Sequence, residues 1–206
     1  MTNTLGFFNA LNQEPLMKST LFVIFVSFFL VSCGLQSIPQ ANNAVEASWA
    51  EVQNQYKRRA DLIPNLVETV KGYAGHEKET LEGVIAARAK ASQITVDPTK
   101  LNTESLQKFQ AAQGELSQAL GRLMVVSERY PDLKANQNFQ ALQAQLEGTE
   151  NRITIARRRY IETVQEFNNL VTVFPTSLTN SLIHHFEKKP QFTATEAEQA
   201  TPQVKF

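Results

Sequence analysis

The chain has 206 residues, with 20 basic and 20 acidic side chains and a formal net charge of zero. That length holds one ordinary domain or at most two small ones, and the even charge lacks the basic footprint that nucleic-acid binding needs. With charged residues at 19% and only 8 Gly and 8 Pro, the composition excludes a charge-dominated disordered chain and favours long helices over sheet.

The first element is an apolar run, Leu21 to Val31, interrupted only by Ser27. It is short of the roughly 20 residues a membrane span needs and fits the apolar region of an export signal, with Lys18 as its positive flank. Met17 makes a natural start for such a signal, so residues 1–16 are either an over-extended start or, with Phe7, Phe8 and Leu11, a real extension. The run closes on Ser32-Cys33-Gly34, which resembles a bacterial lipobox: a small residue before a cysteine thiol that takes up diacylglycerol. Cys33 is the chain's one cysteine, which excludes an internal disulfide and a multi-cysteine zinc site. Residues 1–33 are therefore expected to be a signal peptide ending in a lipidated Cys33, and the acyl chains would exceed what stable anchoring requires. Gly34 is not the aspartate of an inner-membrane retention signal, which favours the outer membrane facing the periplasm. The alternative is an uncleaved apolar anchor in the inner membrane.

Residues 34–42 read as a short tether and residues 43–187 as the folded body. Trp49, Val52, Tyr56, Ile63, Leu66, Val70, Tyr73, Leu81, Val84, Arg88 and Ala91 trace a first helical stripe. Pro64 interrupts it. Either Asp61 caps a new helix there or one long helix kinks, and the unbroken phase favours two nearly collinear pieces. Asp97-Pro98 signals a turn. Thr103 can then cap a second helix, with Glu104 suited to its first turn and a stripe of Leu106, Phe109, Ala112, Leu116, Leu120, Leu123, Val126 and Tyr130. After Pro131-Asp132 a third helix is predicted over residues 133–172, about 60 Å long. Its stripe alternates three and four from Phe139 through Leu146, Ile153, Tyr160 and Phe167 to Phe174. Phe174-Pro175 breaks it, a short helix follows over 175–184 with His184 and His185 near its end, and residues 188–206 form an irregular tail. Short connections between long helices give an all-α, elongated, antiparallel four-helix bundle of long amphipathic helices, with coiled-coil-like stripes.

Several segments carry a family resemblance. The run from Asn54 to Ala74, with Tyr56-Lys57-Arg58-Arg59-Ala60-Asp61-Leu62-Ile63-Pro64-Asn65-Leu66-Val67 at its heart, resembles the hallmark of the LemA family. Ser127 to Ala135, Leu146 to Ile153, Ala156 to Tyr160, Phe167-Asn168, Phe174-Pro175 and the ending Pro202 to Phe206 extend the likeness to about residues 45–206. The resemblance implies a four-helix bundle attached to a membrane at its N-terminus, with no established catalytic activity. Many members carry a longer N-terminal transmembrane helix; Ser32-Cys33 departs from that pattern.

Chemistry-bearing residues are few. Lys57-Arg58-Arg59 and Arg157-Arg158-Arg159 sit on helices, where consecutive residues diverge by about 100°, so neither triplet makes one patch. Their members either face an acidic partner or lipid, or pair inside the bundle with Asp61, Glu68, Glu147 or Glu150. Arg58, Asp61, Asn65, Glu68, Asn151 and Arg158 are candidates for a buried polar network or a partner-binding surface. The histidines His76, His184 and His185 lack the Glu-x-x-His pattern of a bundle metal site, so no metal and no cofactor are expected. No phosphate loop, dinucleotide fingerprint or nucleophile elbow is present, and no enzyme is expected. The leading functional expectation is a non-enzymatic, membrane-anchored bacterial envelope protein, a scaffold or adaptor for another envelope component, with leftover apolar surface. The alternative is a ligand-binding helical module with a polar inter-helix site, expected as a pocket lined by Tyr56, Tyr160 and Arg158.

Overall fold

The computed structural model describes the backbone of residues 14–193 and the side chains of residues 35–193. Every regular element among the described residues is helical. They are α1 (Glu14–Tyr73), α2 (Lys78–Gln93), a short 3-10 turn (Pro98–Lys100), α3 (Thr103–Ser127), α4 (Pro131–Lys134), α5 (Gln137–Thr172), α6 (Thr176–Thr179) and a π-helical turn (Asn180–His184). The chain divides into two compact units, one of Met1–Asn43 with Glu166–Lys188 and the other of Ala44–Gln165 with Lys189–Phe206.

In the second unit, contacts between residues distant in sequence give the direction of each helix pair. Arg88 reaches Ala60, and Trp49 and Gln53 both donate to the Val96 carbonyl, so α2 runs back along α1. Lys90 meets Glu115, and Gln113 faces Ala91, so α2 and α3 are antiparallel. Arg59 with Glu150, Tyr73 with Asn136 and Ser48 with Thr163 set α1 antiparallel to α5. Trp49, Tyr56 and Arg59 meet Phe109, Phe109 and Gln113 in turn, which makes α1 and α3 parallel. The predicted stripes supply the core: Ile63, Leu66, Val70, Leu81, Val84, Leu116, Leu123, Phe139 and Leu146 are buried in one cluster. Beside it the rings of Trp49, Tyr56, Phe109, Tyr160 and Phe192 pack edge-on or tilted at 5.1–5.9 Å.

Several local expectations are corrected. Residues 34–42, read as a short tether, are helical within α1, with Ile38 and Ala41 buried. Nor does Pro64 divide α1. The first stripe breaks instead at Ala74–Glu77, where Tyr73 is left 45% exposed and a Cβ added at Gly75 would come within 3.1 Å of the Lys71 carbonyl oxygen. The second long helix is capped by Asn102, not Thr103. Asn102 has an extended backbone and accepts from the Ser105 N–H at 2.8 Å, while its own N–H donates to the Ser105 hydroxyl, a reciprocal box that a threonine already in the helical turn cannot make. The third long helix starts at Gln137 because Asn136 accepts from the Phe139 N–H. It ends at Thr172, so Phe174, the last residue of the predicted stripe, is 70% exposed.

The short helix after Pro175 is present as α6 and the π-helical turn, with His184 in its last turn and His185 in a left-handed conformation just beyond. Residues 185–193 carry no regular element, yet they are packed: Tyr160 donates to the Pro190 carbonyl at 2.9 Å, and Phe192 is buried under the Arg157 guanidinium. Among the described residues no helix is long and apolar enough to cross a membrane. The Leu21–Val31 side chains, the Cys33 side chain and residues 194–206 lie outside those described.

Candidate functional site

The polar heart of the second unit is Arg59. The large apolar core positions along α1 include 49, 52, 56, 63, 66 and 70, and in the seven-residue step from Tyr56 to Ile63 the intervening turn is filled by small Ala60 and by Arg59. Its side chain is 3% exposed. One terminal nitrogen donates to the Ser117 hydroxyl and to Glu150 Oε2, each at 3.0 Å. The other donates to the Gln113 side-chain oxygen at 2.7 Å and the Gln113 carbonyl at 3.2 Å. The guanidinium lies 5.0 Å from the centre of the Tyr56 ring, and its Nε has no partner. Glu150 is 57% exposed, so the acid of the pair keeps most of its hydration while the base is dry. Burial pushes the Tyr56 hydroxyl above the ordinary tyrosine range, against the pull of the Arg157 and Arg59 charges.

Next to this knot α1, α2 and α3 enclose a half-open cleft of about 450 Å³. Tyr56, Lys57, Ala60 and Asp61 of α1, Arg88 and Ala91 of α2, and Phe109 and Gln113 of α3 line it. Its shape depends on Pro64. A proline has no N–H, so the Ala60 carbonyl one turn earlier has no intrahelical donor. Arg88 Nε donates to that carbonyl at 2.8 Å, which lets α1 pass through the proline without dividing and fixes the Arg88 guanidinium at the cleft. Lys57, which also lines the cleft, is exposed. The cleft thus offers two cations, one carboxylate and two aromatic edges, a surface suited to a polar or acidic segment.

Of the two readings of Arg58, Asp61, Asn65, Glu68, Asn151 and Arg158, a buried network or a partner-binding surface, the buried network does not form, because all six are exposed. Glu68 meets Lys71 and Arg158 meets Glu162, each at 3.7 Å along its own helix, and Asp61 alone reaches the cleft. Each basic triplet splits as helix geometry requires: Arg59 is buried and Arg157 half-buried, while Lys57, Arg58, Arg158 and Arg159 are exposed. Of the intra-bundle partners considered for the triplets, Glu150 is the one Arg59 takes. The expected pocket of Tyr56, Tyr160 and Arg158 is replaced by one that keeps only Tyr56. Tyr160 is fully buried, its hydroxyl spent on Pro190, and burial raises its pKa far above the usual value. Sequence reasoning held Arg59 only as a member of a basic triplet and Arg88 only as a position in the first stripe, and it missed Gln113. The seven-residue step from Tyr56 to Ile63 and the unpaired carbonyl before Pro64 were the available signals for the two arginines. Gln113 carried none beyond its place one residue after Ala112.

The first unit carries a different surface. Val173, Phe174, Leu178, Leu182 and Ile183 are all exposed around α6 and the π-helical turn. Asn180 pins this corner from inside: its side chain is buried, donates to the Phe186 carbonyl at 3.0 Å and accepts from the Phe186 N–H at 2.9 Å. Among the described residues no three His, Cys, Asp or Glu are grouped to hold a metal ion.

The model of the LemA family matches residues 48–206 of this chain. The Protein LemA of Metamycoplasma hominis is 24% identical over 137 residues, which cover 61% of this chain and 58% of that relative. The chain therefore spans less than two thirds of that relative's length.

Proposed function

The chain belongs to the LemA family, and we propose that it is a non-enzymatic, membrane-anchored scaffold or adaptor of the bacterial cell envelope, binding another envelope component through its cleft face. Part of this proposal is that α1, α2, α3 and α5 of the second unit pack as a four-helix bundle, which the alternating directions of its helix pairs support. The observation that carries the reading is the half-open cleft, where Lys57 stands exposed and Arg88 is held by the carbonyl that Pro64 leaves unpaired. That face is built and polar, and it matches a segment bearing carboxylates. Attachment is assigned to lipidated Cys33, with the outer membrane facing the periplasm as the location. An uncleaved inner-membrane anchor is the alternative, since Leu21–Val31 serves either. The exposed apolar residues supply the leftover surface that a scaffold requires.

The test is a cross-linked pull-down from intact cells comparing wild type, Cys33→Ala and Lys57→Glu. The expected result is a specific envelope partner captured by wild type and lost from both variants. If no form captures anything beyond export machinery, the adaptor reading fails. The second reading then stands: the cleft takes a small acidic ligand, favoured by its volume and its paired cations, and detectable by calorimetry on the full chain.

A further inference from the structure

We infer that the apolar corner formed by α6 and the π-helical turn docks into the bilayer interface beside the anchor, so that the protein holds the membrane at two points. The inference rests on the membrane attachment proposed above and names the second contact. Three observations carry it. Five large hydrophobic side chains are exposed between Val173 and Ile183, which is half of the exposed large hydrophobics among the described residues. No Asp, Glu, Lys or Arg occurs from Phe167 to Phe186, so seating the corner in a low-dielectric layer strips no full charge of its water. The same compact unit also contains Met1–Asn43, and with it the apolar run Leu21–Val31 and Cys33.

The corner is built to hold that surface out. Asn180 spends its side chain on the Phe186 backbone in both directions, and its carbonyl accepts from the His185 N–H at 2.7 Å, which closes the turn. Thr179 and Asn180 face inward, and Leu178, Leu182 and Ile183 on either side of them face water. A water-facing apolar cluster on a rigid turn costs solubility unless something covers it. An interfacial apolar face commonly sinks about 5–10 Å into the headgroup layer. The anchor's unit brings this cluster to a lipid surface without any other partner.

The experiment uses the full chain reconstituted into vesicles of phosphatidylethanolamine and phosphatidylglycerol with brominated acyl chains. Phe174→Trp and Leu182→Trp each place an indole at the corner, Val125→Trp places one on an exposed site of the other unit, and buried Trp49 is the common background. Flotation with the vesicles reads attachment, and bromine quenching reads docking. The expected result is flotation of all forms, with severalfold loss of the added emission at positions 174 and 182 and none at 125. Flotation without quenching at either corner position overturns the docking and leaves attachment standing. Equal quenching at all three positions overturns it too, since the contact would not be the corner's. A blue shift at the corner without quenching means a second copy covers it, which also refutes docking. Failure to float removes both the attachment and this inference. Two corner variants are used so that misfolding of one, read by loss of helical circular dichroism, leaves the other to decide.

Discussion

Arg59→Ala removes a side chain that is 3% exposed together with its bonds to Ser117, Glu150 and Gln113. The Gln113 side-chain oxygen is buried with it, and losing this donor costs about 1–3 kcal/mol. Glu150 is 57% exposed, so the ion pair adds at most about 1 kcal/mol, and the carboxylate left behind is hydrated rather than stranded. The space vacated by the aliphatic stem adds about 1–2 kcal/mol, while returning a guanidinium with an unpartnered Nε to water offsets part of the total. The expected net loss is about 2–4 kcal/mol. Arg59→Met fills the space and retains only the Gln113 penalty, about 1–3 kcal/mol, and adding Gln113→Leu removes that as well and brings the double variant close to wild type. Urea unfolding followed through Trp49, the chain's one tryptophan, which stacks among Phe109, Tyr160 and Phe192, reads each value. If Arg59→Met is neutral alone, or Gln113→Leu fails to rescue it, the argument from an orphaned acceptor is wrong.

Two further outcomes follow from the same unit. Arg88→Met should cost about 1–2 kcal/mol by leaving the Ala60 carbonyl without a donor, and much less in a Pro64→Ala background, where residue 64 donates instead; equal costs in both backgrounds, measured by the same unfolding cycle, would sink the account of how α1 passes Pro64. Tyr56 and Tyr160 have folded pKa values raised by burial, so the stability tied to their neutral forms is whole below about pH 10 and is lost as pH rises through the folded values. Lys189, depressed by burial, works in the opposite sense as pH climbs toward its unfolded value, so the comparison is made against Tyr160→Phe. That variant should lose about 1 kcal/mol at neutral pH through its bond to Pro190 and decline less steeply in alkali, and parallel alkaline declines would refute the assignment.

Much of the fold is legible in the stripes. Leu106, Phe109, Leu116, Leu123, Ile153, Tyr160 and Phe167 are buried where a three-four periodicity places them, because a helix can hide only one face and the apolar residues mark it. Periodicity is silent about ends. Asn102 and Asn136 cap their helices through side-chain bonds to backbone N–H groups three residues on, and neighbouring Thr103 is chemically as good a cap until the backbone angles are known.

The candidate site divides along the same line. A helix pattern determines that Arg59 must point with Tyr56 and Ile63, since that depends only on 3.6 residues per turn. Which acid and which amide meet it, at Glu150 and Gln113, depends on the register of three helices joined across 54 and 91 residues of chain. The candidates Arg58, Asp61, Asn65, Glu68, Asn151 and Arg158 are polar residues on these helices that all face water, which leaves no buried network among them but is what a partner-binding surface requires. The composition, the apolar run before Cys33 and the helical stripes are local properties, and the sequence alone determined them. The buried cation, the cleft that Pro64 and Arg88 build together, and the apolar corner pinned by Asn180 were decided only in the tertiary structure. Each depends on a donor or acceptor finding its partner through packing, and no spacing along one chain specifies that distance.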